Sequence, residues 1–138
     1  MAEKGQGGQS PQSGIEIKPA HYPGRASIDS YGNGGFRFAD MSHRGSILCL
    51  PSGIYAWSAK IPADFSTASF QRVLDEDGIE LLLLGTGAEL VAPPTRLKQR
   101  LATAGIRCEP MSTGAAARTF NVLMAEGRAV AAALLAVD

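Results

Sequence analysis

This chain predicts an α/β fold, and three observations predict it. From residue 79 onward, short apolar runs alternate with segments whose apolar residues recur at helical spacing. Before residue 60 the pattern is different: short runs are separated by glycine-rich turns, as in antiparallel hairpins. The chain then closes on residues 129–137, an apolar stretch only about half the ~20 residues that a membrane-spanning helix needs, which therefore reads as a buried strand. Strand, helix, strand order implies parallel neighbours joined by right-handed crossovers. The expected architecture is a three-layer α/β arrangement. It has a central mixed, partly parallel sheet, helices from βαβα units and an N-terminal antiparallel β-hairpin layer.

Taken in order, residues 1–18 are rich in Gly, Gln and Ser and hold few apolar groups, too few to offset the entropy of ordering. They are expected to be a disordered tail, leaving residues 19–138 as a single domain near the commonest domain size. Residues 26–31 alternate weakly and run into Gly32-Asn33-Gly34-Gly35, followed by Phe36 and Phe38 on either side of Arg37. Asn-Gly tolerates positive φ, so this is a hairpin signal. Residues 40–44 read as a second loop, 45–50 as a strand stopped by Pro51, and 54–57 as a fourth short strand. Phe65, Phe70, Val73 and Leu74 suggest a helix with Ser66 or Thr67 as N-cap and Asp77-Gly78 at its end. Then come a strand at 79–84, a helix at 94–104, a strand at 106–109, a helix at 112–125 and the closing strand. Pro94 suits a first helical turn and Gly105 the position just past the end. In that helix Leu97, Leu101 and Ala104 are expected to face inward, with Arg96, Lys98 and Arg100 solvated on the outside.

Composition limits the function classes. Formal net charge is zero and 19% of the 138 residues are charged, so the overall balance lacks the electrostatic footprint of a nucleic-acid or anionic-lipid binder. The N-terminus has neither the apolar core of a secretory signal nor the arginine-rich amphipathic spacing of a mitochondrial transit peptide, which predicts a cytoplasmic protein without direct membrane insertion. Cys49 and Cys108 fall in separate predicted strands, as reduced core residues do. The histidines, His21 and His43, have no second ligand at i+4, so no metal is expected. Gly85-Thr86-Gly87 lacks the third glycine of a dinucleotide fingerprint, and Pro93-Pro94 delays the following helix. Neither a phosphate-binding loop nor a Gly-x-Ser-x-Gly elbow occurs. A Cys49–His43 couple is outweighed by packing, because Leu48 and Leu50 flank the thiol. No cofactor and no catalytic residue is expected.

The last helix is the most informative segment. Ala116, Phe120, Leu123 and Met124 line one face, while Val122, Ala115 and Ala125 lie on the other, so cover is expected from two directions. Arg118 and Asn121, three apart and therefore surface neighbours, are its main polar side chains. Buried without partners, each would cost about 1–3 kcal/mol. Either they cap neighbouring loops or they face a shared pocket. Parallel strands point their carboxyl ends the same way, so Gly85-Thr86-Gly87 and Pro110-Met111-Ser112-Thr113-Gly114 should emerge on one edge of the sheet, where ligands of open α/β folds bind. The free N–H groups of the helix starting there suit an anion, although Ser112 and Thr113 are also ordinary N-caps. The candidate ligand-binding set is Thr86, Gly87, Ser112, Thr113, Arg118 and Asn121. Trp57 is either a core anchor or a binding contact. Asp75, Glu76 and Asp77 read as solvated acids at a helix end. Glu126 and Arg128, around Gly127, pair with each other or with Arg118.

Several of these segments together carry a family resemblance. Leu81-Leu82-Leu83-Leu84-Gly85-Thr86-Gly87, then Met111-Ser112-Thr113, then Ala117-Arg118-Thr119-Phe120-Asn121-Val122-Leu123, then residues 126–135 resemble a small-domain family of undefined biochemistry, the Mth-type domain family. It includes the mitochondrial NADH dehydrogenase (complex I) assembly factor 3 and an adipogenesis-associated Mth-type domain protein. Gly45-Ser46-Ile47-Leu48, Leu50-Pro51-Ser52-Gly53 and Trp57 extend the match to about Ile28. Phe120 departs from the pattern, standing where many relatives are expected to carry tyrosine, which removes a hydroxyl. The resemblance implies a non-catalytic protein-interaction or assembly-factor-like domain whose partners are subunits of a larger complex. A small anionic-ligand binder or unrecognised enzyme using the Gly85–Gly87 and Ser112–Asn121 cleft is the alternative, and homo-oligomerisation stays open.

Overall fold

The computed structural model describes residues 22–138, so the expected tail at 1–18 and His21 lie outside the described residues. The chain runs β1 (Tyr22–Pro23), β2 (Ser30–Gly32), β3 (Gly35–Phe38), β4 (Met41–Arg44), β5 (Ile47–Leu50), β6 (Gly53–Ala56), two 3₁₀ turns (Pro62–Asp64 and Ala68–Phe70), α1 (Gln71–Asp75), β7 (Leu81–Gly85), α2 (Thr95–Thr103), β8 (Arg107–Met111), α3 (Thr113–Ala125) and β9 (Val130–Leu134). A six-stranded sheet has the order β1-β6-β5-β9-β7-β8, and β2-β3-β4 form a separate three-stranded sheet. Leu82 of β7 lies parallel between Ala131 of β9 and Cys108 of β8, whereas β5 and β6 pair antiparallel. The expected mixed, partly parallel α/β sheet is what forms.

Chain order around β7 explains the layers. The chain leaves β7 for β8 on one side, then returns past it to β9 on the other. Two right-handed crossovers made in opposite directions must put their helices on opposite faces. Leu97 and Leu101 of α2 accordingly pack with Leu48, Leu82, Leu84, Ala131, Ala133 and the aromatic group Trp57, Phe65 and Phe70. Ala116, Ala117 and Phe120 of α3 pack on the other face with Ile47, Cys49, Leu83, Ala132 and Leu134, together with Phe36 and Phe38 of the small sheet. The odd-even alternation along each strand sorts these two cores. Among the described residues no helix is long and apolar enough to cross a membrane.

Several local expectations are corrected. Residues 41–44 are not a loop but β4, paired with β3 after a turn in which Ala39 and Asp40 take positive φ. Their polar sequence hides an alternation of half-buried Met41 and His43 with exposed Ser42 and Arg44. Of residues 26–31 only the end is a strand, and the expected hairpin turn follows it, with Asn33 at φ 54° and Gly34 at φ 80°. The helix expected from Phe65 is broken into 3₁₀ turns and the five-residue α1, with Ser66 accepting the Ser69 N–H. Pro94 caps α2 from outside rather than opening it, and Ala104 is exposed because α2 ends at Thr103. The edge strand β8 carries Pro110 and an exposed Arg107–Glu109 ion pair (3.4 Å), both of which discourage pairing with another chain.

The largest difference concerns α3. One face is buried, but Val122 is 58% exposed and Ala125 is exposed as well. The six-stranded sheet covers one side and Ile28, Tyr31 and the small sheet flank it, but the side carrying Val122 and Ala125 has no cover within the described chain.

Candidate functional site

The turns after β7 and β8 meet at one rim. Thr86 N donates to Met111 O (2.9 Å), Thr113 N to Gly87 O (2.8 Å), and Gly87 N to Thr113 Oγ1 (3.0 Å). Gly85 makes the approach possible: a Cβ there would stand 2.9 Å from Leu134 Cδ2 and 3.0 Å from Thr113 Cα, closer than side chains tolerate. Gly87, at φ 109°, then turns the chain in a conformation that favours glycine.

This rim engages the hydroxyls expected to face a ligand. Thr113 is fully buried, and its Oγ1 donates to Leu135 O (2.8 Å) while accepting from Gly87 N. Thr86, 2% exposed, directs its hydroxyl toward Glu89 O (2.6 Å) and Met111 O (3.1 Å) and accepts from Val91 N (2.9 Å). Both side chains are joints, since a hydroxyl has one hydrogen to give and these are already committed. Thr86 also shapes the 86–91 loop so that Leu90 (63% exposed) and Val91 (39%) stand outside. Ser112 is the N-cap of α3, its Oγ accepting Ala115 N (3.4 Å).

Arg118 and Asn121 divide between the two readings that the sequence left open. Asn121 caps a loop: its Oδ1 accepts Ile28 N (2.8 Å) and its Nδ2 donates to Ile28 O (2.9 Å), tying the segment before β2 to α3. Arg118 is exposed, donating Nη1 to the Tyr31 hydroxyl (3.1 Å). That hydroxyl lies over Gly114, where any Cβ would collide with it. A cavity of about 510 Å³ is lined by Tyr31, Gly87, Ser112, Gly114, Arg118 and residues 136–138. The structure thus brings Gly87, Ser112 and Arg118 of the expected set into one cavity, with Thr86 and Thr113 behind its wall and Asn121 in a neighbouring notch. Tyr31 and residues 136–138 were missed; Tyr31 reaches Arg118 across 87 residues of sequence and residues 136–138 return to the site past β9, and no local pattern announces either.

The remaining candidates take other roles. Trp57 is a core anchor, 7% exposed, with Nε1 donating to Ser69 O (2.7 Å) and its ring 5.9 Å from Phe65 and 5.2 Å from Phe70. Glu76 is not merely solvated: its carboxylate accepts Ser52 N (3.1 Å) and Ser52 Oγ (2.8 Å), fixing the turn between β5 and β6. Glu126 and Arg128 are exposed, and among the described residues neither they nor Arg118 forms an ion pair. His43 lies in β4, not a loop, where burial lowers its pKa against a smaller opposing effect of its bond to the Ser46 backbone. Burial pushes the Cys49 thiol far above its ordinary range and the Cys108 thiol up to about 11. The two thiols sit in opposite cores and are free.

The fold is that of a small α/β domain, and in this chain two strand-end turns are joined by backbone bonds beside an exposed arginine–tyrosine pair. Residues 28–135 match a family described as proteins of unknown function (DUF498/DUF598), and the chain belongs to that family. An uncharacterized protein of Rhodobacter capsulatus is 40% identical over 114 residues, 83% of this chain and 87% of that one. Mouse NADH dehydrogenase [ubiquinone] 1 alpha subcomplex assembly factor 3 is 30% identical over 122 residues, and the match spans 88% of this chain but only 66% of the mouse protein. Among solved structures, the crystal structure of an outer membrane protein from Bartonella henselae is 59% identical, with a TM-score of 0.82 over 85% of this chain and 99% of that one. A Mth938-like domain from Bordetella pertussis is 30% identical, with a TM-score of 0.70 over 80% and 85% of the two chains. The Mth-type resemblance is thereby confirmed.

Proposed function

We propose that residues 19–138 form a single cytoplasmic, non-catalytic docking domain of the assembly-factor kind, which binds protein subunits of a larger complex through the outer face of α3 and the rim beside it. The observation that carries this reading is the uncovered side of α3. Ala115, Arg118, Val122 and Ala125 share that side, at spacings of three and four, and Val122 is 58% exposed. Leu90, Val91 and Tyr31 add further exposed apolar surface at the helix start, and tyrosine and arginine are residue types enriched where interface energy concentrates. The mouse relative's name, an assembly factor, supports the same reading.

The test is affinity capture from cell extract with the intact chain and with Val122→Asp. A surface change of this kind shifts stability by about 0.5 kcal/mol or less, so the melting temperature should hold. Subunits of a multiprotein complex retained by the unaltered chain should be lost from the variant. Identical recovery with both proteins would defeat the proposal.

A second reading is favoured by one observation: no carboxylate among the described residues lies within ion-pair distance of Arg118, which faces the 510 Å³ cavity beside Ser112 and Gly114. A small anion held there would make the cleft a ligand site. Equilibrium dialysis against inorganic phosphate and succinate, with Arg118→Ala as control, separates this reading from protein docking.

A further inference from the structure

The register of the small sheet sorts its side chains onto two faces. Phe36 and Phe38 are buried in the core shared with α3, and Tyr31 and His43, the cross-strand partners of Phe36, share their side. Strand alternation puts the intervening residues on the other side. There Ser30, Arg37 and Ser42 form one cross-strand row, and Gly32, Gly35 and Arg44 form the next. Ser30, Arg37, Ser42 and Arg44 are all exposed. The second row is low, because two of its three members have no side chain. The space above Gly32, at φ 126°, is open, and a Cβ on Gly35 would strike the His43 carbonyl. A hollow of about 420 Å³ results, flanked by Arg37 and Arg44 and lined also by Ser30 and Ser42.

Arg37 and Arg44 are diagonal neighbours on β3 and β4, a relation that separates such positions by about 7–8 Å and that long side chains span. Two like charges at this spacing repel each other, and a carboxylate between them would relieve the repulsion. Among the described residues no Asp or Glu lines the hollow, and neither arginine forms an ion pair. Asp29 and Asp40, the acids nearest in sequence, are exposed outside it, Asp29 in the notch beside Arg118. Asp138 lines the adjoining cavity with Arg44 but does not pair with it. Arg37 donates Nη1 to Ser42 Oγ (2.5 Å), while Arg44 carries Nη1 toward the hairpin turn, 3.8 Å from where a Cβ on Gly34 would be. The two guanidinium groups thus stand on either side of the glycine floor.

We infer that this hollow binds the phosphate group of a small phosphomonoester, its terminal oxygens shared between Arg37 and Arg44. A carboxylate is satisfied by one guanidinium fork, whereas a phosphomonoester at neutral pH carries nearly two charges and three free oxygens, which two forks can divide. Ser42 Oγ accepts from Arg37 and therefore keeps its own hydrogen for a phosphate oxygen. The size of the hollow falls in the range of small-molecule pockets. Neither Arg118 nor Val122 lines it, so the inference goes beyond both readings above and is independent of them.

The experiment is an NMR titration of the ¹⁵N-labelled full chain with glycerol phosphate at about pH 7.5 and constant ionic strength, where the probe is mostly dianionic. Saturable shifts are expected at the amides of Gly32, Gly35, Arg37, Ser42 and Arg44 and at the Nε of both arginines. The double change Arg37→Gln with Arg44→Gln should weaken binding about tenfold or more. Arg96→Gln with Arg100→Gln removes the same charge from the exposed side of α2, where no hollow lies between the arginines, and should alter affinity less than about twofold. Dimethyl phosphate, with one charge and two free oxygens, should bind about tenfold more weakly than glycerol phosphate. All four arginines are exposed, and the spectrum of each variant verifies its fold. No saturable shift, equal loss from the two double variants, equal binding of dimethyl phosphate or acetate, or tighter binding of a phosphoserine peptide each overturns the inference. So do shifts centred on Ser112 and Arg118, which would move the anion to the other cavity. Arg118→Ala and Val122→Asp should leave the titration unchanged, so the earlier readings are judged separately.

Discussion

The two faces of the six-stranded sheet are built differently. On one, Trp57, Phe65 and Phe70 meet at 5.2–5.9 Å and close over Leu82, Leu84 and Leu101. On the other, Phe36, Phe38 and Phe120 are buried as well, but α3 also sets small residues, Ala116 and Ala117, in the same core as Ala132, and polar joints such as Asn121 to Ile28 and Thr113 to Leu135 tie the elements together. Each face buries three aromatic side chains, which remove much apolar area from water, and the first gathers its three into one contacting group. Small residues on the second face suit close helix–sheet packing, and Val122 on the outer side of α3 and the Tyr31–Arg118 pair remain exposed. The docking surface proposed above therefore lies on the α3 side of the sheet, away from the Trp57 group.

The sharpest way to break this comparison is Phe70→Ala. It empties the middle of the aromatic group and should cost about 3–5 kcal/mol, read as a fall in the urea midpoint, while partner capture by the fraction still folded is unchanged. Next is Thr113→Val, which keeps the shape but leaves Leu135 O and Gly87 N without their hydroxyl. Losing these buried partners should cost about 1–3 kcal/mol by the same measurement and loosen the rim. A smaller effect concerns pH. Burial lowers the pKa of His43 below its ordinary value of 6.5, so the unfolded chain binds this proton more readily than the folded one. The stability carried by the neutral ring is complete above that value and is lost as pH falls through it toward the folded pKa. Urea midpoints at about pH 7.5 and about pH 5 should therefore drop further for the unaltered chain than for His43→Gln. The smallest change in stability is expected from Gly114→Ala. The helix gains roughly 1 kcal/mol of propensity, offset by pushing aside the Tyr31 hydroxyl, which is the far end of a flexible side chain. Its signature is local: NMR of the Arg118 side chain should report loss of the bond to Tyr31 while the melting temperature barely moves.

How much of this was legible in the sequence varied with the range of the interactions. Asn33-Gly34 announced its turn because positive φ is a property of the residues themselves, and Leu97 with Leu101 announced the buried side of α2 because helical spacing is local. Residues 41–44 did not announce a strand, since only pairing with β3 gives their polar alternation a meaning. The common rim of residues 86 and 113 was foreseeable from strand direction alone. Which of its residues would be free was not: Thr86 and Thr113 look like ligand groups in sequence and are backbone joints in space.

By itself, the sequence determined the succession of strands and helices from residue 79 onward, the burial of β9 and, through parallel order, the edge on which the turns emerge. Tertiary structure alone decided that Asn121 would hold Ile28, that Tyr31 and residues 136–138 would join Arg118, and that Val122 would stay uncovered. Propensity and periodicity act over a few residues, whereas Asn121 reaches Ile28 across 93 and Arg118 reaches Tyr31 across 87, and which face of a helix is left open is settled only once every other layer has found its place.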